Sequence, residues 1–190
     1  MGINAYLVKP FKTKVKSGYP NSLFMRKTNL EITDRSILEE ILSGATICRV
    51  AMNNGAVPYL LPFNFGYRER CIYIHSAPEG KKIDLLRRNS NVSFEVEDPV
   101  SIIPGKNACN WSTRYRSVVG EGRVEILTDT QSKKEGLQVI MAQHGAPELI
   151  DFEERELIRM VILKITITSM TGKHSSNWHK LPPTPSSTHP

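Results

Sequence analysis

The sequence predicts a mainly β fold with α additions, built as a small antiparallel barrel. Three observations carry this. About six short β-type runs are joined mostly by hairpin-length turns. The longest run contains Gly120 and Gly122, which fits a strand under tight curvature or close backbone approach. Three or four helical patterns sit toward the ends, which suits a barrel with added helices.

The elements follow in chain order. Asp34 can cap a helix through its carboxylate, and Ile37, Leu38, Ile41 and Leu42 then share one face until Gly44 ends it. Thr46 to Met52 reads as a strand by its β-branched content. Asn53-Asn54-Gly55 is a turn signal, and Val57 to Tyr67 reads as the partner strand. Pro58 and Pro62 remove two ladder donors from that run, so it is expected at an edge or bulged. Cys71 to Ser76 is a strand with Ile72 and Ile74 on one face and Tyr73 and His75 on the other.

A turn at Ala77 to Gly80 leads into a short helix through Lys81, Lys82, Ile83, Leu86 and Arg87. Val92, Phe94 and Val96 alternate with polar residues, the pattern of a half-buried strand. Residues 98–110 read as a loop. A strand is expected from Tyr115 to Leu127. A helix capped by Asp129 or Thr130 runs to His144, and a short helix spans Glu153 to Leu157. Arg159 to Thr168 closes the list as a strand.

Of 190 residues, 39% are hydrophobic and 23% charged, which places the chain among globular proteins. No apolar run reaches the roughly 20 residues of a membrane helix, and the first residues lack the apolar core of a secretory signal. The net charge of +6 is local. Six basic residues and no acid fall in residues 1–30, leaving 19 of each beyond. Generic nucleic-acid binding by the folded body thus loses its main support. Three domains of behaviour are expected: residues 1–24 as a basic, flexible extension, or a start placed too early; 25–180 as the folded domain; 181–190, rich in proline, as a disordered tail. Cys48, Cys71 and Cys109 show neither a C-x-x-C nor a zinc spacing, so reduced thiols and a cytoplasmic location are the expectation. No metal site is expected, because His174 and His179 have no partner cluster.

Two segments suggest a ligand. In His75-Ser76-Ala77-Pro78-Glu79-Gly80-Lys81-Lys82 a strand ends in a hydroxyl and a helix opens with glycine and two lysines. A helix N-terminus with two added cations suits a phosphate monoester. An ordinary strand-to-helix turn with solvated lysines is the plainer alternative. In Pro62-Phe63-Asn64-Phe65-Gly66-Tyr67, an irregular strand frees backbone groups, and the Asn64 amide can pair with a planar heteroaromatic edge. A bulged edge strand with core aromatics is the plainer alternative. Trp111 to Ser117 offers two arginines beside aromatics, as a rim or a subunit interface. Trp178 must dock or stay exposed.

Taken together the segments carry a resemblance. Pro62-x-Asn64-Phe65-Gly66-Tyr67, Tyr73 to Lys82, Phe94-Glu95-Val96 and Ala108-Cys109-x-Trp111-Ser112-x-x-Tyr115-x-Ser117-Val118-x-Gly120-x-Gly122 occur in this order. This resembles the nitroimidazole-resistance (Nim) family of flavoproteins, within the pyridoxamine-phosphate-oxidase-like superfamily. The resemblance implies a split β-barrel that forms a homodimer with FMN at the interface. It implies that Ile74, His75 and Ser76 follow the ribityl–phosphate, with Gly80, Lys81 and Lys82 on the phosphate. Leu60, Leu61, Pro62, Phe63 and Asn64 would meet the isoalloxazine, joined by Ser117 and Trp178. It further implies a reductase of small electron-poor substrates such as 5-nitroimidazoles, with His75 either catalytic or only binding cofactor. FMN or haem binding with little turnover is the alternative. Pyridoxamine-phosphate oxidation and polyanion binding through the arm stand behind it.

Overall fold

The structure is a computed structural model that describes residues 27–98, 101–146 and 150–178. The expected N-terminal extension and proline-rich tail lie outside the described residues. Asp34 accepts from the Ser36 hydroxyl and N–H and caps α1 (Arg35–Gly44), and these two bonds, the hydroxyl's first, hold its carboxyl below the ordinary range. Leu38, Ile41 and Leu42 are buried from that helix. Each such aliphatic residue contributes roughly 1.5–3 kcal/mol of burial. β1 (Glu31–Ile32) precedes it.

One antiparallel sheet holds β2 (Ile47–Met52), β3 (Tyr59–Asn64), β4 (Gly66–Arg68), β5 (Cys71–Ser76), β6 (Asn91–Glu97), β9 (Arg116–Leu127) and β10 (Val161–His174). Its order is β3-β2-β6-β9-β10-β5-β4, with β1 added on β10. The two edge strands, β3 and β4, are joined by Phe65 alone, which is fully buried. That one residue switches the chain from pairing β2 to pairing β5, so the sheet's edges meet and the sheet curls on itself. This is a split barrel. Of the edge or bulge expected from Pro58 and Pro62, the edge is found: β3 is an edge strand in regular register with β2, Pro62 opposite Arg49. The single strand expected from Val57 to Tyr67 is two, parted at Phe65, because the chain changes partner strand there.

The barrel interior is filled by alternate residues, among them Val50, Ile72, Ile74, Phe94, Val96, Val118 and Ile165. Gly120 is there because a Cβ would meet the Phe94 ring and the Ser169 carbonyl at 2.5 Å. α2 (Lys81–Arg88) buries Ile83, Leu85 and Leu86 in the same core. A second core lies outside the barrel, where α3 (Thr130–Gln143) and α4 (Glu154–Ile158) cover β5 and β10. It joins Tyr73, Leu137, Val139, Ile140, Leu157 and Ile162. Asp129 caps α3 by accepting from Ser132 N–H.

Two further expectations need correcting. Residues 98–110 are not all loop: β7 (Ser101–Ile103) pairs with β8 (Ser112–Arg114), around a turn of 3-10 helix at Ala108–Asn110. The last strand does not stop at Thr168. It passes a bulge between Ile167 and Ser169 and runs on to His174, held by β9 along its length and by β1 near its end. With β1 and β7–β8, the strands number ten among the described residues. No helix among them is long and apolar enough to cross a membrane.

The cysteines allow a direct check. Cys48 lies in the core of β2, and burial, with Glu95 adding to it, pushes its thiol up to about 12. Cys109 is exposed. At pH 8 iodoacetamide should therefore alkylate Cys109 and leave Cys48 unmodified, read by peptide mass mapping. Labelling of Cys48 at a rate comparable to Cys109 would show that the barrel opens readily.

Candidate functional site

The split itself builds the site. β4 and β5 pair as Gly66↔Tyr73, Tyr67↔Ile72 and Arg68↔Cys71. Continued by two residues, that register sets Asn64 opposite His75. The ladder stops before they meet, and the strands part there. Both residues face outward and are exposed, because their neighbours Phe65 and Ile74 point into the core. Asn64 and His75 line a cavity of about 390 Å³ with Ile47, Pro62 and Phe63. They also line a second one, of about 370 Å³, against α3 and α4.

At the far end of β5, Gly80 sits at φ +104°, a conformation that glycine adopts without strain, and opens α2 with no side-chain cap. The N–H groups of Ile83 and Asp84 bond to the Gly80 carbonyl, so those of Lys81 and Lys82 point out of the helix. The Lys81 ammonium lies 4.6 Å from the centre of the Tyr59 ring, at the start of β3. The gap between β3 and β5 thus has an amide and an imidazole at one end and a cationic helix start at the other.

Not every expected residue presents its side chain to this gap. Ile74 is 1% exposed and offers only backbone. Ser76 is buried, and its hydroxyl donates to the Ala77 carbonyl at 2.9 Å, so it is satisfied internally. Leu61 and Phe63 pack against the core, while Leu60, Pro62 and Asn64 alternate outward.

Ser117 and Trp178 lie apart. Ser117 pairs with Glu97 and Lys173, and the row continues through Ile47 to Asn64. Three strand spacings separate Ser117 from Asn64, about 14 Å along the outer face. Trp178 docks on arginine: the Arg116 guanidinium is 4.4 Å and that of Arg114 5.4 Å from its ring. Arg116 is held in turn by Asp98 and by Glu40 at 2.8 Å. Trp178 lines a cavity of about 250 Å³ with Asp34, Arg116 and His174, none of which reaches His75's cavities. Another hollow, of about 410 Å³, lies over Ala51, Ser93 and Gly122 and holds none of the expected residues.

Sequence reading missed the lining contributed by α3 and α4: Leu137, Ile140, Met141, His144, Phe152, Glu156 and Met160. The signal was there in part, since Leu137, Ile140, Met141 and His144 follow helical spacing that ends in a histidine.

Fold and site define a split-barrel protein with a cationic corner and an apolar chamber on either side of one strand gap. The family model for pyridoxamine 5'-phosphate oxidase matches residues 34–174, and the chain belongs to that family, one of flavin-binding proteins. A candidate 5-nitroimidazole antibiotic resistance protein from Bacteroides thetaiotaomicron is 30% identical, over 76% of this chain and 86% of that one, with a TM-score of 0.68. The FAD and haem binding protein from Mycobacterium smegmatis matches at 21% identity and TM-score 0.68, over 78% of this chain and 74% of that one. The flavocytochrome Anf3 from Azotobacter vinelandii matches at 20% and 0.68, over 80% and 72%. These last two share the fold. No curated protein matches the chain.

Proposed function

We propose that the chain is an FMN-dependent oxidoreductase that reduces small, electron-poor molecules, 5-nitroimidazoles among them. One observation carries this reading: the Asn64–His75 gap and the Lys81 helix start lie on one continuous strand end, as a ligand with a planar ring and a phosphate requires. The residues fit FMN. Lys81, Lys82 and the free N–H groups of α2 suit its phosphate. The backbone of Ile74, His75 and Ser76 suits its ribityl chain, and the outward edge Leu60, Pro62, Asn64 suits its ring. When bound, the flavin supplies the electrons. His75, exposed beside that edge, holds a proton at a ring nitrogen and passes it to the reduced substrate.

The reading includes a homodimer. Leu60 and Val119, 58% and 44% exposed, stand on the same outer face as Asn64 and Ser117. A second copy laid on that face would cover them and bring its own Ser117 and Trp178 toward the gap. Light scattering of the eluted protein should give twice the chain mass, and a monomer would remove this part.

The test is the visible spectrum of the purified protein with mass spectrometry of whatever heat releases, followed by anaerobic reduction and addition of 5-nitroimidazole. A released FMN and reoxidation by the nitro compound are expected. His75→Ala should keep the flavin and slow reoxidation by roughly 10²-fold or more. A colourless protein that takes up no added FMN would overturn the reading. Bound flavin with no reoxidation would leave a cofactor-binding protein.

A further inference from the structure

We infer that the chamber between the barrel and helices α3 and α4 is the substrate site, and that it selects neutral heteroaromatic rings over carboxylates. The inference rests on the reductase reading above and names the substrate's place and charge. The chamber holds about 370 Å³, within the range of small-ligand sites. Leu137, Ile140, Leu157 and the thioethers of Met141 and Met160 give it apolar walls, and Phe152 adds a ring face. Its polar lining among the described residues is Asn64, His75, His144 and Glu156.

Among the described residues no lysine or arginine lines it, and Glu156 is the one carboxylate that does. A carboxylate entering would lose water without gaining a cation and would meet a like charge. A flat neutral ring loses little on entry, and the asparagine amide and the imidazoles can serve its edge nitrogens and nitro oxygens. Asn64 and His75 also line the neighbouring cavity, so an occupant reaches the strand gap where the flavin ring is proposed.

The walls are fixed by specific bonds. Gln143 accepts from Tyr67 N–H at 2.6 Å and donates to the Leu42 and Ala45 carbonyls at 3.1 and 2.7 Å, tying α3 to β4 and α1. The buried Lys133 ammonium donates to the Leu157 carbonyl at 2.8 Å and holds the end of α4. The chamber is therefore part of the framework.

The experiment titrates the purified protein calorimetrically with 5-nitroimidazole and, separately, with para-nitrobenzoate. The neutral ring should bind, and the carboxylate should bind about tenfold more weakly or worse. Met141→Trp, which fills the chamber from a half-exposed helix position, should weaken the neutral ring by about tenfold or more. Met160→Trp fills it from the opposite wall and serves if the first variant fails to fold. Glu156→Gln should narrow the gap between the two probes. No binding of the neutral ring, equal binding of both probes, or unchanged affinity in the folded tryptophan variants would each overturn the inference. Flavin content is read separately from the visible spectrum. A flavin-free protein with Met141-dependent binding would keep the chamber and remove the reductase; a flavin-loaded protein that the nitro compound reoxidises equally well in the folded tryptophan variants would do the reverse.

Discussion

Lys81→Ala is expected to loosen FMN by roughly 1.5–3 kcal/mol, a ten- to hundredfold rise in Kd, the size of a charge-assisted contact to phosphate. The geometry makes this lysine the strongest choice among the basic residues near the gap. It is the first residue of α2, behind Gly80 at φ +104°, and its ammonium rests 4.6 Å from the Tyr59 ring at the mouth of the β3–β5 gap. It is exposed and carries no part of the core, so its removal should leave the melting temperature nearly unchanged. The reading is made by fluorescence titration with FMN and with riboflavin, which lacks the phosphate. The variant should lose affinity for FMN and keep that for riboflavin. An equal loss for both would move Lys81 away from the phosphate, and no loss for either would remove it from the site.

Most of the elements could be read in the chain because each carries its own local signal. Asp34 and Asp129 are caps by chemistry, and both accept the backbone N–H bonds that the sequence suggests. Val92, Phe94 and Val96 alternate because one face of β6 is core. Where local signal fails, tertiary contacts decide. Gly172 breaks the apolar pattern of β10, yet the strand continues because Leu38 and Ile32 lie over that glycine. β7 and β8 have no alternation to read; Ile102 is 67% exposed, and their pairing is local.

The site shows the same division. The phosphate-type corner lies within eight consecutive residues, His75 to Lys82, and so was legible. The alignment of Asn64 with His75, or with Ser117, depends on strand register across the closed sheet, which no single segment encodes. The chamber was hidden for a different reason. Leucine, isoleucine and methionine on a helix read as core whether they fill space or surround it.

Gly66→Ala should destabilise the fold by roughly 3 kcal/mol, toward the upper end of overpacking costs, with the loss of a backbone hydrogen bond included. A Cβ there would lie 2.5 Å from the Val139 carbonyl oxygen and 2.6 Å from the Ile140 Cα and nitrogen. Those atoms are helix backbone and cannot rotate aside, so α3 must lift from β4. Lifting it pulls Gln143 from the Tyr67 N–H, one of the three bonds that side chain makes. The comparison is Gly44→Ala at the end of α1, where a Cβ meets nothing within 4 Å; it should shift stability by under about 1 kcal/mol. Urea denaturation of the two variants gives both values. Because the glycine and Gln143 act on the same seam, Gln143→Ala should cost less in the Gly66→Ala background than alone. Strict additivity would mean that α3 does not press on β4, and the wall of the chamber would then need another support.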